Sequence, residues 1–552
     1  MKKRILFQLF FILLSLHLSA QNTVGILSYD ANKTYEGYNL LYPNNQEKVF
    51  LLNNCGEIVH IWNDEEDFRP GNTAYLRENG DLIKCKRHNF SNNDPIWAGG
   101  GGAFVEIRNW ENELLWSFEQ NDSFRRLHHD IEPMPNGNIL MISWEYKSVE
   151  EAVQAGRDAA MLPDAELWPD YILEINPTNN EVVWEWHTWD HLIQELDATK
   201  DNYGVVANHP ELIDLNWTAN DGRRDWMHTN AIDYNEELDQ VVISVPTFNE
   251  IWIIDHSTTT AEAAGHNGGL SGGGGDLMYR WGNPLTYQAG TFENQQLFFQ
   301  HDIHWVGDFL DTSHPHFGKL AVFNNTANLS YSTANVFAPD FDTSTWSYQQ
   351  ENGVWSPVDF DVTFTHPEPT NMFSPVVSSV QLLANGNTLI CAGKKGYAFE
   401  LSPENEVVWE YKTPLNGGNP VSQGTLLNSG NLTFRHNRYP INFAAFEGRG
   451  LTPFGYIELN PDTDFCDLTS PVVELAATIE LEIFPNPASD EIQFKQAERI
   501  PSTIAIFDYT GRKMLDFELN TFFKKINVSN WPDGLYFVQV NEQKFFKFVV
   551  NK

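Results

Sequence analysis

The sequence predicts an all-β protein, a six-bladed β-propeller followed by a small β-sandwich C-terminal domain. Three observations support this prediction. Turn phrases of the Asn-Gly type recur before apolar strands, a strand phrase that ends in an aromatic residue recurs beside them, and a similar polar phrase recurs ahead of three strands. Aromatic residues make up 13% of the 552 residues and include 18 Trp, which favours strands over helices.

The turn phrases predict tight hairpins, and the aromatic phrases predict a further pair of strands. Glycine-containing turns occur at residues 78–83, 135–140, 384–389 and 428–432. The strand, polar turn and aromatic-ended strand occur at residues 104–116, 171–186 and 398–411. Together these phrases give four strands per repeat, which is typical of a propeller blade.

The start of each innermost strand is predicted by counting back seven residues from the turn or by matching the polar phrase. The six positions found in this way predict six blades, and they are Asn72, His129, His228, His301, Ser378 and Ser422. Residues 38–62 are expected to form a strand pair that closes the ring with the last strands. If the ring closes, the three histidines converge on one channel.

Long insertions separate the repeats. Residues 147–168 are predicted to be partly helical at 149–160, and loops are predicted at 192–224, 265–299 and 329–370. The third of these four insertions contains the glycine run Gly272 to Gly275. No GK[ST] motif follows that run, so a phosphate-binding loop is excluded and a flexible lid or connector is expected.

Charge and cysteine content limit the function classes. The net charge of −39 argues against binding of nucleic acid or of an anionic membrane by general electrostatics. Three pairings are open to the four cysteines, Cys55, Cys85, Cys391 and Cys466. Because they contain no CxxC pair, a cysteine metal site is not expected.

The predicted channel could hold a metal, transfer protons or bind an anion, because imidazole does all three. No metal-ligand spacing such as HExxH is present, so the sequence predicts neither a metal nor another cofactor. Anion binding is favoured by cations near the predicted channel, since arginine suits sulfate and phosphate oxygens. These cations are Arg280, which follows the glycine run, and the group Arg435, His436 and Arg438.

Five segments together resemble the arylsulfotransferases of the bacterial aryl-sulfate type. They are residues 225–235, 250–257, 274–284, 300–302 and 385–390, and the resemblance runs from about residue 30 to 460. It implies a six-bladed propeller that moves a sulfuryl group from a phenolic sulfate ester to a phenolic acceptor without a nucleotide donor. It also implies a ping-pong cycle through a sulfated histidine.

The resemblance assigns roles to individual residues. His228 matches the family's WxHxN-type histidine and His301 its QHD-type histidine, so both are expected to bind sulfuryl oxygens or to act as acid–base groups. The family's arginine is missing from residues 322–329, and Ser378 stands where the nucleophilic histidine is expected. The predicted nucleophile is therefore His436, with His129 as the second choice. The predicted substrate-binding residues are His129, Arg280, His304, Arg435 and Arg438.

The C-terminal segment resembles the type A C-terminal sorting domain of the type IX secretion system. The resemblance rests on Phe-Pro-Asn-Pro-Ala at 484–488, Asp-Tyr-Thr-Gly-Arg at 508–512 and Gly-Leu-Tyr-Phe-Val at 534–538. It implies a Bacteroidota-type export route, contact with the secretion machinery, and a secreted or surface-attached protein.

The N-terminus reads as a secretory signal, with a basic start and an apolar run at 5–16 that is too short to span a membrane. No later stretch is long enough for a transmembrane span. The predicted organisation is a signal peptide at 1–20, the propeller at 21–465, a linker at 466–479 and the sorting domain at 480–552.

Two other functions remain open at this point. A non-catalytic propeller could bind a surface glycan or a sulfated polymer in the same channel, and the missing arginine and Ser378 favour this alternative. A metal-dependent hydrolase or lyase on the same scaffold is the weaker alternative.

Overall fold

The computed structural model describes residues 22–217, 222–328, 330–466, 481–496, 502–508, 512–540 and 544–552. The chain is all-β and divides into two compact units, Met1–Pro471 and Val472–Lys552. The predicted signal peptide at 1–20 and nearly all of the predicted linker at 466–479 lie outside the described residues. Within the described ranges, no helix is long and apolar enough to cross a membrane.

Six antiparallel sheets build the first unit, and we number them by the chain order of their inner strands, which are given first. Sheet 1 contains Phe68–Leu76, Leu82–His88, Phe104–Arg108 and Leu114–Glu119, and sheet 2 contains Arg125–Pro133, Ile139–Glu145, Asp170–Asn176 and Glu181–His187. Sheet 3 contains Ala231–Asn235, Gln240–Val245, Glu250–Asp255 and Tyr279–Trp281, and sheet 4 contains His301–Trp305, Leu320–Asn328, Tyr331–Phe337 and Val362–Phe364. Sheet 5 contains Ser379–Leu382, Thr388–Ala392, Tyr397–Leu401, Val407–Lys412 and Gly25–Tyr29, and sheet 6 contains Thr433–Pro440, Gly37–Pro43, Val49–Leu52 and Ile58–Trp62.

The sheets follow one another in a circle. Each inner strand contacts the inner strand of the next sheet, and the inner strand of sheet 6 contacts that of sheet 1. Sheet 6 takes its inner strand from the end of the unit and its other strands from the start, with Leu40 opposite Asn437. The prediction that residues 38–62 close the ring with the last strands is therefore confirmed.

Alternating side chains of each sheet fill two different cores, one on each face. In the second strand of sheet 3, Val241 and Ile243 pack towards sheet 2, whereas Val242 packs towards sheet 4. The strand period of two produces this division, and the apolar runs of the sequence reflect burial on both faces. An apolar core of this kind lies between each pair of neighbouring sheets.

One disulfide bond joins the two ends of the first unit. Cys55 lies just before the outer strand of sheet 6, and it is bonded to Cys466, 411 positions later. Cys85 and Cys391 are buried free thiols. The four cysteines therefore form one disulfide and two thiols.

The insertions carry the remaining short elements. The predicted helix at 149–160 is shorter in the structure, Val149–Ala155, and begins at a capping box formed by Ser148 and Glu151; the second helix is Thr260–Ala263. The 3-10 helices are Ser91–Asn93, Ala159–Met161, Thr188–Asp190, Val206–Asn208, Pro284–Tyr287, Phe292–Asn294, Pro369–Asn371, Gly393–Lys395 and Ala444–Phe446. The short strand pairs are Lys147–Ser148 with Glu166–Leu167, Leu192–Ile193 with Ile213–Asp214, Phe341–Asp342 with Ser347–Tyr348, Gln350–Glu351 with Val354–Trp355, and Leu415–Asn416 with Asn419–Pro420.

His256 links sheets 2 and 3, and its replacement by Gln should destabilise the first unit in a pH-dependent way. Its Nε2 lies 2.9 Å from Glu174 and its Nδ1 lies 2.7 Å from Asp239. Burial opposes the charged ring, but the two carboxylates outweigh burial and raise the pKa of His256 to about 9. Because the pKa is raised on folding, we expect a loss of about 2–3 kcal/mol below pH 6.5 that disappears as the pH rises through about 9.

Urea unfolding of the wild type and of His256→Gln at a series of pH values measures this difference. A deficit that stays constant with pH would contradict the ion-pair explanation and would indicate lost packing instead.

The second unit contains two further sheets with one shared apolar core. The first sheet consists of Leu481–Phe484, Glu491–Gln496 and Phe523–Asn527, and the second consists of Lys513–Leu519, Ser502–Asp508, Gly534–Val540 and Lys544–Val550. Ile492 and Phe494 of the first sheet pack in the same core as Ile504 and Val538 of the second.

Candidate active site

Three histidines meet at the inner strands of sheets 2, 3 and 4: His129 lies in the middle of its strand, His228 just before its strand, and His301 at the first residue of its strand. The rings of His129 and His228 lie 4.5 Å apart between centroids. Phe434 lies 6.1 Å from the His129 ring and 6.3 Å from the His301 ring, and Phe299 lies 6.3 and 6.1 Å from those of His228 and His301. We call His129, His228 and His301 the histidine cluster.

The backbone bends sharply within or just before four of the inner strands. Asn72, His129, His228 and Ser378 all have positive φ values, 109°, 52°, 57° and 99°. Non-glycine residues seldom adopt this conformation. Four of the six counted positions share it, whereas in sheet 4 the positive φ, 60°, is that of Asp302, one residue after His301.

The sixth position is occupied by a different residue from the one predicted. Ser422 is wrong because the turn at 428–432 precedes the inner strand of sheet 6 and does not follow it. That strand is Thr433–Pro440, and Ser378 donates its backbone N–H to the carbonyl of Phe434 at 3.1 Å. Phe434 therefore lies beside the histidines.

His301 is held at both ring nitrogens. Its Nδ1 lies 2.8 Å from Oδ1 of Asn325, whose amide nitrogen donates to the carbonyls of Ser374 and Val377. Its Nε2 accepts the backbone N–H of Val377 at 3.1 Å. Burial lowers the pKa of His301 to about 3, so the ring is neutral. This geometry leaves neither nitrogen available for nucleophilic attack.

His228 has a different environment. Its Nδ1 lies 2.6 Å from Asp225, and the other oxygen of Asp225 accepts the indole N–H of Trp144 at 3.0 Å. Within the described part of the chain its Nε2 has no hydrogen-bond partner, and 19% of the side chain is exposed. Burial lowers the pKa of His228, but the charge and hydrogen bond of Asp225 outweigh burial and raise it above 6.5. The pair therefore resembles the base and orienting carboxylate of hydrolytic triads.

His129 belongs to a second, more deeply buried chain of polar groups. Its Nδ1 lies 2.9 Å from Nδ1 of His128, so one of these nitrogens donates to the other. The His128 ring stacks on Trp144, and its Nε2 lies 3.3 Å from Asp170. Burial, with the nearby His228, lowers the pKa of His129 well below its ordinary value. His129 is therefore neutral at physiological pH.

A glycine loop, Gly99–Gly102, covers the histidine cluster. The carbonyl of Gly100 accepts the backbone N–H of His129 at 2.8 Å and the side-chain amide of Asn72 at 2.7 Å. A methyl group on Gly100 would lie 1.9 Å from Nε2 of His129, and one on Gly99 would lie 3.6 Å from Cε1 of His228. Among the described residues, the backbone N–H groups of Gly99 and Gly100 have no hydrogen-bond acceptor.

One residue after His129 along the strand, a buried ion-pair network crosses the ring. Arg435 of sheet 6 pairs with Asp130 of sheet 2 and, at 2.8 Å from its Nε, with Asp302 of sheet 4. Tyr75 of sheet 1 donates its hydroxyl to Asp130 at 2.8 Å. Side-chain exposure is 10% for Arg435, 0% for Asp130 and 7% for Asp302. Two carboxylates thus already compensate the positive charge of Arg435.

A cavity of about 350 Å³ begins at Arg435 and extends away from the histidine cluster. Its lining contains His304 and the acidic residues Glu132, Asp233 and Asp308. His304 therefore faces this acidic cavity and does not join the three histidines.

Comparison with known families adds to this geometry. The family model described as arylsulfotransferase (ASST) matches residues 30–416, more than two thirds of the chain. The chain belongs to the arylsulfotransferase family. Residues 482–551 of this family member match the secretion system C-terminal sorting domain, which marks it for export and for secretion or surface attachment.

The solved structures that resemble this arylsulfotransferase-family chain share little sequence identity with it. A protein of unknown function from Bacteroides caccae is 11% identical with a TM-score of 0.39 and covers 73% of this chain and 98% of its own. Virginiamycin B lyase from Staphylococcus aureus is 10% identical with a TM-score of 0.31 and covers 70% of this chain and 88% of its own. No curated protein sequence matches the chain.

Three more of the predicted site residues of this arylsulfotransferase-family chain lie away from the cluster. His436, the predicted nucleophile, is bonded through Nε2 to Asn39 at 3.0 Å and lies against Trp409 and Tyr411. Arg438 pairs with Glu400 in the same core between sheets 5 and 6.

Arg280 lies on the outermost strand of sheet 3, where it is fully buried and paired with Glu250 at 2.7 Å. None of these three residues faces the histidine cluster, because each projects into packing between or outside the sheets.

The partners of the histidines are not evident from the family resemblance. Asp225 is the exception, because it lies only three positions before His228 and its proximity could be predicted from the sequence. The glycine run at 99–102 is also visible in the sequence, but nothing local connects it with His129. Asp170 and Asn325 come from strands far along the chain.

Replacing Gly100 with Ala should disturb the histidine cluster. Gly100 has φ of 80°, so an alanine there is strained, and its methyl group would collide with His129. We expect a stability loss of about 2–3 kcal/mol and loss of activity.

Gly137→Ala is the matched control, because Gly137 has φ of 89° and no atom within 4 Å of the added methyl group. It should show the backbone cost alone, about 1 kcal/mol. Equal urea midpoints for the two variants would show that the glycine loop gives way without disturbing His129.

Proposed function

We propose that the chain is an exported sulfotransferase that moves a sulfuryl group from a phenolic sulfate ester to a phenolic acceptor. On this proposal the six sheets are the blades of a six-bladed propeller, the second unit is a β-sandwich, and His228 carries the sulfuryl group between the two substrates. Family membership supports the reaction class. The role of His228 is supported by its two ring nitrogens: Nδ1 contacts Asp225, and among the described residues Nε2 has no hydrogen-bond partner.

In the first half-reaction, the Nε2 lone pair of neutral His228 attacks the sulfur of the donor. The ester S–O bond breaks, and its electron pair leaves on the phenolate oxygen, which takes a proton from solvent. The Nδ1 proton stays on the ring, and Asp225 stabilises the cationic sulfated imidazole. In the second half-reaction, the acceptor phenol gives its proton to solvent and its phenolate oxygen attacks the sulfur. The N–S bond breaks, and its electron pair returns to Nε2.

Neighbouring groups would hold the sulfuryl oxygens. Gly99 and Gly100 supply two unpaired backbone N–H groups beside His228 and His129. His129 lines the same space, with its Nδ1 bonded to His128 and its Nε2 towards Gly100. His301 is hydrogen-bonded at both ring nitrogens, so it has a structural role beside the other two histidines. Arg435 contributes little direct charge, since Asp130 and Asp302 compensate it.

The purified protein incubated with p-nitrophenyl sulfate alone should become sulfated on His228, and addition of phenol should remove the group. Mass spectrometry of the intact chain and of its peptides locates the adduct, and nitrophenolate release measures turnover. An adduct on a different residue would overturn the role of His228 while leaving the reaction class in place. Absence of both adduct and release would overturn the reaction class.

A second candidate is a non-catalytic propeller that binds a surface glycan or a sulfated polymer. One observation favours it: Ser378, at the position where the family's histidine is expected, is bonded to Ser374 and to the N–H of Gly393. Calorimetric binding of a sulfated glycan, with no adduct and no release from p-nitrophenyl sulfate, would select this alternative.

A further inference from the structure

A second group of histidines lies outside the candidate active site. His191 follows the last strand of sheet 2, whereas His266 and Asp276 lie near the two ends of the glycine-rich loop between the outer strands of sheet 3. Nδ1 of His191 lies 2.8 Å from Oδ1 of Asp276, and Nδ1 of His266 lies 2.7 Å from the same oxygen. All three potential ligand atoms lie within 4.8 Å of one another.

The hydrogen bonds of His191 determine which nitrogen carries its proton. Nε2 lies 2.8 Å from the carbonyl oxygen of Ala263, which can only accept, so Nε2 must donate. In the neutral ring, Nδ1 is then an unprotonated acceptor that faces the carboxylate oxygen of Asp276. Nδ1 of His191 and the carboxylate oxygen therefore face each other as two acceptors, an arrangement that a cation bound to both atoms stabilises.

The surrounding chain builds a defined site. The His191 side chain is fully buried and stacks on Trp186 with an interplanar angle of 4°. Trp186 donates its indole N–H to the carbonyl of Gly275 at 2.7 Å. A methyl group on Gly275 would lie 1.9 Å from the carbonyl oxygen of Ala263 and 2.6 Å from Nε2 of His191. The loop backbone therefore packs directly against Ala263 and His191, with no room for a side chain at Gly275.

The outer side of the group is open to water. The side chain of His266 is 56% exposed, and that of Asp276 is 13% exposed. A bound ion could therefore complete its coordination with solvent, which is usual where a protein supplies three ligands.

We propose that His191, His266 and Asp276 bind a zinc ion through their Nδ1 atoms and one carboxylate oxygen. Two imidazoles and a carboxylate are ligands that Zn²⁺ prefers. A ligating histidine whose other N–H donates to a backbone carbonyl is the usual arrangement around zinc, and His191 has it. The ion fastens the glycine-rich loop of sheet 3 to sheet 2.

The sequence does not predict this site because its ligands lack a local spacing. His191 and Asp276 are separated by 85 positions, and only folding brings them together. The loop that contains Gly272 to Gly275, predicted as a lid or connector, is thereby assigned a structural role.

The test uses the full chain, stripped with a chelator and titrated with Zn²⁺ by calorimetry and with Co²⁺ by visible absorption. His266→Ala removes an exposed ligand and should leave the fold intact. His209→Ala is the matched control, since its side chain is 49% exposed and its Nδ1 lies 2.9 Å from the carboxylate of Glu211.

The wild type and His209→Ala should each bind one more zinc equivalent than His266→Ala, and zinc should raise the Tm of the first two only. The Co²⁺ complex of the wild type should show d–d bands that His266→Ala loses. Equal zinc counts and equal Tm shifts in all three proteins would overturn the proposal and leave the three side chains as a hydrogen-bonded group.

Discussion

Replacement of His228 by Ala should lower kcat for sulfuryl transfer by about 10⁴-fold or more, because the proposed nucleophile is lost. Asp225→Asn should lower it by about 10²-fold to 10⁴-fold while the ring stays in place, because an amide no longer stabilises the cationic intermediate. The measurement is nitrophenolate release with saturating phenol, together with recovery of the adduct. His209→Ala, exposed and outside the cluster, should match the wild type.

The pH dependence separates a chemical role of Asp225 from a structural one. Attack requires an unprotonated Nε2, so the rate should rise with pH through the pKa of His228, which Asp225 raises above 6.5. In Asp225→Asn that charge is lost, and burial is then opposed only by the weaker effect of Asp170, so the pKa of His228 and the rise in rate should move to lower pH. An unchanged pH profile in Asp225→Asn, or a His228→Ala variant with more than about a tenth of wild-type activity, would contradict the proposed mechanism.

Replacement of Arg435 by Met should destabilise the first unit by about 3–5 kcal/mol. Asp130 and Asp302 would keep their buried positions without their cation, and an unpaired buried charge is costly. Burial raises the pKa of Asp130 even with Arg435 present. Without Arg435 that pKa should rise further, so the deficit should shrink as the pH falls and the carboxyl becomes neutral.

Urea unfolding measures the effect, and two further variants define its origin. Arg224→Ala removes a surface ion pair with Glu166. The Arg224 side chain is 40% exposed, so the loss of stability should be at most about 1 kcal/mol. The triple variant Arg435→Met, Asp130→Asn and Asp302→Asn should recover a large part of the loss, because no unpaired charge remains. A loss in Arg435→Met as small as that in Arg224→Ala would contradict the buried network.

The strand pattern explains which parts of the site could be predicted from the sequence. The turn phrases and the polar phrase locate one shared position on the inner strands, and this position brings His129, His228 and His301 together. The strands of sheets 1 and 2 begin four residues earlier than predicted, at Phe68 and Arg125. Within the last inner strand, Arg435 and Asn437 line the cavity, whereas His436 and Arg438 project into the core between sheets 5 and 6. The period of two separates these pairs, so a cluster of cations in the sequence is divided between two environments.

The remaining contacts depend on long-range geometry. A histidine can be a nucleophile only if its second ring nitrogen is free of hydrogen bonds. In His301 that nitrogen accepts the backbone N–H of Val377, so the residue has a structural role. The partner of Arg435 in sheet 4, Asp302, directly follows a predicted site residue, yet nothing in the sequence pairs the two. The predicted start of the last inner strand, Ser422, is wrong because the hairpin neighbour of that strand is Gly37–Pro43, from the other end of the unit.

The pairing that closes the ring also sets the order of events during synthesis. Asn39 meets His436 across 397 positions, so a growing chain exposes one edge of Gly37–Pro43 until almost the entire first unit has been made. Contacts this distant in sequence make closure slow, and unpaired edges invite association with other chains in the meantime. A chain terminated before residue 433 should therefore accumulate as aggregates, whereas loss of the second unit should leave a chain that can still close.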